Sequence, residues 1–300
     1  MTGGVSSDIW RVETSKGQVV VKRALARLKV RQLWEAPVER NRYERMWLEE
    51  ANRIVPGVAP RILAADDAGL FAMEYLGTAS VWKAELRDRR VDVAFAAEVG
   101  RRLAKIHAAT AGRPEIAERF ATDANFYAIR LEPYLVATAR ACPQHAALLE
   151  ALVKRTAETR LCLVHGDVSP KNILVAPSGP VILDAECAWY GDPAFDLAFC
   201  LNHLLLKGLW QPPAKAKYLD AFAALSSTYL SGVTWESPAA LETRVASLLP
   251  GLLLARVEGK SPVEYLTEES DKDVVRRVAG ALLQSPPRTL KEVSEAWQGS

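Results

Sequence analysis

One stretch limits the possible folds of this chain more than any other: His165-Gly166-Asp167-Val168-Ser169-Pro170-Lys171-Asn172, with Asp184 closing Val181-Ile182-Leu183 further on. Two short apolar segments, Ile173-Leu174-Val175 and Val181-Ile182-Leu183, lie between Asn172 and Asp184. Pro177-Ser178-Gly179-Pro180 separates them, and glycine and proline supply turn dihedrals at little cost. The expected order is loop, strand, turn, strand, acid. Pro170 stiffens the loop, so that Asp167 and Asn172 converge on one site. Acid, amide and second acid in this order are the parts phosphoryl transfer requires. One carboxylate orients an acceptor hydroxyl and accepts its proton, while an amide oxygen and another carboxylate hold Mg²⁺ against nucleotide phosphates. Asp167 is therefore the candidate base, and Asn172 and Asp184 the candidate metal ligands. A polar turn with Asp167 capping a helix accounts for His-Gly-Asp-x-Ser-Pro alone, but not for Asn172 and Asp184 in register. Glu186 faces the same way as Asp184 if the strand continues, either as a further metal or acceptor ligand or as a solvated carboxylate.

The chain before this region reads as a small β-rich lobe. Asp8–Thr14 alternates polar and apolar residues, Gln18–Lys22 is β-branched, and Ser15-Lys16-Gly17 between them is hairpin chemistry. After Pro37, Tyr43, Trp47, Ala51 and Ile54 recur at helical spacing until Pro56-Gly57. Residues 61–64 and 69–76 read as two more strands around Asp66-Asp67-Ala68-Gly69, and Gly77 is the expected hinge. Apolar stripes then predict helices at Ala96/Val99/Leu103/Ile106, Tyr218/Phe222/Leu225, Leu241/Val245/Leu248/Leu252 and Val274/Val278/Leu282. The expectation is an α+β fold of two lobes, residues 1–76 and 77–300.

With 300 residues the chain is long enough for both lobes. A net charge of +2 is too small to imply a nucleic-acid or membrane partner. Lys22–Arg31 is a local basic run, read as a solvated segment. The four cysteines have no metal-ligand spacing and fit a reducing compartment, so the expected address is cytoplasmic. The polar, glycine-rich start does not resemble a signal peptide, and no apolar run approaches the roughly 18 residues of a membrane span. The sequence does not fix an oligomeric state.

Lys22 ends the second predicted strand, where a fixed ammonium can reach nucleotide phosphates, and Glu44 on the next helix is spaced to hold it. Gly3-Gly4-Val5-Ser6-Ser7-Asp8 offers backbone donors and hydroxyls (Ser6, Ser7) to phosphates, or is a frayed end. Asp196 heads a predicted helix, where it can accept backbone N–H groups from a nearby loop. His165 braces the loop and is read as neither acid nor base. His107, His145 and His203 read as packing or surface residues.

These motifs resemble the aminoglycoside phosphotransferase and choline kinase family, small-molecule kinases with a protein-kinase-like fold. His165-Gly166-Asp167-x-x-Pro170-x-Asn172 with Ile182-Leu183-Asp184 carries the resemblance, and Asp184-Ala185-Glu186 is similar to the subgroup containing 5-methylthioribose kinase. The resemblance implies ATP or GTP at the hinge, with backbone groups of Glu74, Tyr75 and Leu76 meeting the base. It also implies Mg²⁺ and a small hydroxylated acceptor held by the large lobe. Relatives carry a strand before the glycine loop, whereas Met1 here nearly abuts Gly3-Gly4, which implies a late start or a lobe without that strand. Relatives acting on aminoglycosides line the acceptor site with carboxylates. Arg256, Glu258, Lys260 and Glu264 show no acidic excess, so a neutral or anionic metabolite is expected. The alternatives are an aminoglycoside phosphotransferase and a catalytically silent nucleotide-binding relative. A protein substrate is disfavoured because no long activation segment separates Asp184 from Asp196.

Overall fold

Alternation and a glycine turn produce the first hairpin. In the computed structural model, which describes residues 7–15, 17–25, 38–66 and 69–299, β1 (Ser7–Thr14) pairs antiparallel with β2 (Gly17–Ala24). Gly17, at φ 111°, makes the reversal that a side chain would strain. After α1 (Arg40–Ile54) come β3 (Ile62–Ala65) and β4 (Phe71–Glu74). The sheet order is β1-β2-β4-β3, so β2 and β4 lie at its centre. Pro56 and Gly57 follow α1 as expected, Gly57 at φ 80°. Residues 3–6, Lys16, the basic run beyond Leu25, and Asp67 and Ala68 of the predicted turn lie outside the described residues.

Beyond Gly77 helices dominate. β5 (Ser80–Val81) leads into α2 (Trp82–Arg87) and α3 (Val93–Thr110). The Asp92 carboxylate accepts the Phe95 N–H at 3.0 Å and so caps an orphan donor at the start of α3. The α3 stripe of Ala96, Val99, Leu103 and Ile106 is fully buried. Then follow α4 (Pro114–Arg119), α5 (Asp123–Phe126), a wide π-type helix (Tyr127–Val136), α6 (Ala137–Ala141) and α7 (Ala146–Glu158). After the catalytic region the chain continues as α8 (Pro193–Trp210), α9 (Lys215–Ser231), α10 (Pro238–Glu258), α11 (Glu269–Gln284) and α12 (Leu290–Gln298). α8 is buried on every side from Pro193 to Gly208, as expected of a helix at the centre of a bundle. α3 crosses α9 so closely that a Cβ at Gly100 would lie 2.3 Å from the Leu225 carbonyl oxygen. In α11 the buried stripe is Val275, Val278, Ala279 and Leu283, with Val274 and Leu282 only half-buried. The expected stripe of Val274, Val278 and Leu282 is therefore rotated, because the helix also packs Ala279 inward.

Two small sheets frame the motif. β6 (Cys162–Val164) runs directly into His165, and β7 (Ile173–Ala176) and β8 (Gly179–Ile182) form the expected hairpin. β9 (Trp189–Gly191) returns to pair with β6. Both segments that connect these pairs, residues 165–172 and 183–188, are thereby clamped side by side. Leu183 N–H donates to the Asn172 carbonyl at 2.8 Å across the gap. This local topology brings Asp167 and Asp184 together.

Candidate active site

The loop begins at a buried aspartate. Asp196, in the first turn of α8, accepts His165 N–H and Gly166 N–H, each at 2.7 Å, and its Oδ2 lies 3.2 Å from His107 Nε2. The expected structural role of Asp196 is thus met. His107, expected as packing, is a buried hydrogen-bonding residue that also meets the Tyr229 hydroxyl at 2.6 Å. Gly166 sits at φ 79°, and a Cβ there would lie 2.7 Å from the Cys187 carbonyl oxygen. His165 accepts Asp167 N–H at Nδ1 (3.0 Å), which leaves Nε2–H to donate to the Leu183 carbonyl (3.0 Å). Burial depresses its pKa, so the ring stays neutral in this bracing tautomer. It ties the loop to the segment that carries Asp184.

Asp167 is 3% exposed, and its Oδ2 lies 2.8 Å from Arg130 and 3.1 Å from Lys171. Burial raises a carboxyl pKa, but Arg130 first and Lys171 second outweigh it, and Asp167 titrates below its ordinary value. Its Oδ1 is buried and carries no hydrogen bond, so an acceptor is available for an incoming donor. Asn172 donates Nδ2–H to the Asp167 carbonyl at 3.1 Å, which leaves Oδ1 as a ligand atom.

Asp184 follows β8 rather than ending it, at φ 67°, a left-handed conformation uncommon outside glycine. The turn points its carboxylate at Lys22, with which it makes a short charged contact. Lys22 also lies 2.8 Å from Glu44. Burial would lower the Lys22 pKa, but Asp184 and Glu44 outweigh it, and the ammonium is held well above its usual range. Burial likewise opposes ionisation of Asp184, yet Lys22 and then Lys171 bring it well below the usual carboxylate value. The structure thus joins Lys22, Glu44 and Asp184 in one cluster; the sequence spacing predicts the Lys22–Glu44 pair, and the contact of Lys22 with Asp184 adds to it. Asn172 and Asp184 offer hard oxygen donors, one neutral and one anionic, and this donor set fits a divalent cation that takes its remaining ligands from phosphates and water.

Other expected site residues stand differently. Glu186 does not share a strand face with Asp184, because β8 has ended; Arg40 Nε meets its carboxylate at 2.7 Å, with both groups buried. Ser7 opens β1 with a buried, unpartnered hydroxyl among the described residues, while Ser6 lies outside them. Glu74 turns its carboxylate to Arg61 (Nε at 2.9 Å). The Tyr75 hydroxyl accepts from Arg11 at 3.4 Å, and the Leu76 carbonyl accepts Ala79 N–H at 3.1 Å. Arg256 is buried. Glu258, Lys260 and Glu264 pair with Arg276, Glu132 and Lys83, respectively.

Sequence reading overlooked Arg130, Lys171 and Arg40. Lys171 sits inside the motif itself, and its half-exposed ammonium is raised by Asp167. Arg130 lies in the π-type helix and donates to the Gly166 carbonyl as well as to Asp167. A lone arginine within Ala128-Ile129-Arg130-Leu131 was the available signal.

A β-rich lobe and a helical one, with an acid, an amide and a lysine–glutamate pair brought near one another, make a protein-kinase-like arrangement. The chain belongs to APH, the phosphotransferase enzyme family, whose model matches residues 1–241. A methylthioribose kinase of Erwinia tasmaniensis is 26% identical over 268 residues, 75% of this chain. The chain spans 66% of that relative's length. Among solved structures, a choline/ethanolamine kinase family protein from Mesorhizobium loti has a TM-score of 0.55 at 18% identity, over 99% of this chain and 91% of that one. Amicoumacin kinase hAmiN, in complex with AMP-PNP, Ca²⁺ and Ami, has a TM-score of 0.57 at 14% identity, over 96% and 88%. These likenesses establish the two-lobed, protein-kinase-like α+β fold. Among the described residues no helix is long and apolar enough to cross a membrane.

Proposed function

We propose that this protein transfers the γ-phosphoryl group of ATP or GTP, with Mg²⁺, to a hydroxyl of a small molecule. The observation that carries the reading is that Lys22 meets Asp184 while the loop bearing Asp167 and Asn172 is hydrogen-bonded to the Asp184 segment, so that three separate stretches of sequence come together. In this reading residues 1–76 hold the nucleotide, with Ser6, Ser7 and the backbone of Glu74 to Leu76 around it, and residues 77–300 hold the acceptor. The four buried free thiols fit a reducing, cytoplasmic setting.

Lys22 steadies the α and β phosphates, and Glu44 keeps its ammonium extended. Asn172 and Asp184 hold the cation, which when bound neutralises charge on the transferring group. Glu186 orients Arg40 and so acts through the fold. Asp167, with its depressed pKa, is a weak base toward a resting alcohol. Its work is to aim the hydroxyl oxygen in line and to take the proton late, once that oxygen has bonded to phosphorus. Lys171 stands beside Asp167 and offsets charge on the moving phosphoryl group. Coupled ADP-release assays over hydroxylated metabolites test the reading. Turnover is expected for wild type with an acceptor present, and Asp167→Ala should lose on the order of 10³-fold in kcat while keeping its fold. Wild-type turnover by Asp167→Ala would remove Asp167 from the chemistry.

A further inference from the structure

α8 carries a row of chemistry away from the catalytic loop. Phe199, His203 and Lys207 recur every fourth residue and so share one stripe of the helix, about 12 Å from first to last. At the loop end, the Phe199 ring lies 5.7 Å from the guanidinium of Arg130, the group that holds Asp167. Tyr134 stands 5.4 Å from Phe199 and 5.6 Å from the Arg256 guanidinium, while His203 lies 5.7 Å from Phe199. At the far end, the Lys207 ammonium sits 4.3 Å from the Tyr265 ring and 5.5 Å from that of Trp210.

Two of these cations lack an anion. Lys207 is 2% exposed, yet its Nζ has neither carboxylate nor hydrogen-bond acceptor among the described residues, only the two aromatic faces. Arg256 is 8% exposed and meets only neutral oxygens: the Tyr134 hydroxyl at 3.2 Å, the Ser261 hydroxyl at 3.1 Å and the Ser261 carbonyl. Its Nε is buried without an acceptor, and so is the Tyr265 hydroxyl. The nearby carboxylates are committed, Asp167 to Arg130 and Lys171, and Glu264 to Lys83 at 2.5 Å. A buried cation without a partner is costly, and an incoming anion would offset that cost. His203 answers to the same surroundings: burial first, then Arg256, Lys207, Lys171 and Lys83, keep its ring neutral.

We propose that the phosphate acceptor is a small hydroxylated anion, with its carboxylate or phosphate group toward Lys207 and Arg256 and its hydroxyl at Asp167. The proposal rests on the phosphotransferase reading above. The reaction stays balanced as for any alcohol: the hydroxyl oxygen bonds to the γ-phosphorus, the bond from that phosphorus to the ADP oxygen breaks, and the hydroxyl proton passes to Asp167. A polycationic acceptor would meet like charge at Lys207 and Arg256.

Calorimetric titration of the full chain with gluconate, ribose 5-phosphate, ribose and choline, each with and without Mg·AMP-PNP, reads the preference directly. One of the anions is expected to bind at least about tenfold more tightly than ribose and choline, and which one does so distinguishes carboxylate from phosphate. Lys207→Met should erase that preference without lowering Tm, because it removes an uncompensated buried charge. A lysine kept only for packing would lower Tm on substitution and leave the preference intact, which would overturn the proposal. So would ribose or choline binding as tightly as both anions, or neither anion binding at millimolar concentration. Nucleotide binding with a neutral preference defeats the anion site alone. Absent nucleotide binding counts against the phosphotransferase reading, while the anion titrations still decide this one.

Discussion

At the scale of single residues the site depends on groups whose protonation the fold sets. His165 must be neutral to accept Asp167 N–H at Nδ1, and His203 is neutral because burial and four cations oppose its charging. Both histidines have folded pKa values below the unfolded value. Once pH falls below about 6.5 the unfolded chain binds protons that the native chain does not, and stability falls with acidification. Each such group contributes up to about 1.4 kcal/mol per pH unit. Urea titrations at pH 7, 6 and 5 should show wild type losing stability more steeply than His203→Asn; equal slopes would contradict neutral burial of His203. The depressed carboxyls of Asp167 and Asp184 act in a lower window, since their stabilisation is lost only as pH falls below the usual carboxylate range. Asp167, Asn172 and Asp184 were legible as residues because their spacing is local and the two intervening strands announce themselves by composition. Arg130 was not, because its bond to the Gly166 carbonyl spans 36 positions and no pattern in its own segment points there.

Among the elements, α1 has the most consequence. Its inward face carries Arg40, Glu44 and Trp47, which reach Glu186, Lys22 and the edge of the His165 ring (centroids 4.7 Å apart), respectively. One helix of the β-rich lobe thereby aligns three parts of the catalytic region. The sequence placed Glu44 beside the apolar stripe of Trp47 and Ala51 as the partner of Lys22, but it did not mark Arg40, since a buried arginine looks in sequence like part of a solvated face. Glu44→Gln leaves Lys22 paired with Asp184 alone and frees its tip to shift. We expect kcat/KM for Mg·ATP to fall on the order of 100-fold with an unchanged far-UV CD spectrum. A wild-type kcat/KM would show that Lys22 needs no second carboxylate. The π-type helix is the counterpart from below. Its extra width lets Arg130 point at the loop while Tyr134 points toward Arg256, a course that a simple 3.6-residue period does not reveal.

Over the whole molecule, the β6–β9 and β7–β8 pairs turn a distant sequence relationship into a fixed one. The strand hairpin, the helical stripes and the division into a β-rich start and a helical remainder were readable from periodicity. The face of α11 and the return of β9 onto β6 were not, because they depend on packing partners far along the chain. The central claim is that Asp184 serves the metal–nucleotide complex and Asp167 serves the acceptor. Calorimetry of ATP binding across a Mg²⁺ series, on wild type, Asp167→Ala and Asp184→Ala, tests it most directly. The account predicts near wild-type, Mg²⁺-dependent affinity for Asp167→Ala and loss of the Mg²⁺ dependence for Asp184→Ala. Unchanged Mg²⁺-dependent affinity in Asp184→Ala would contradict it.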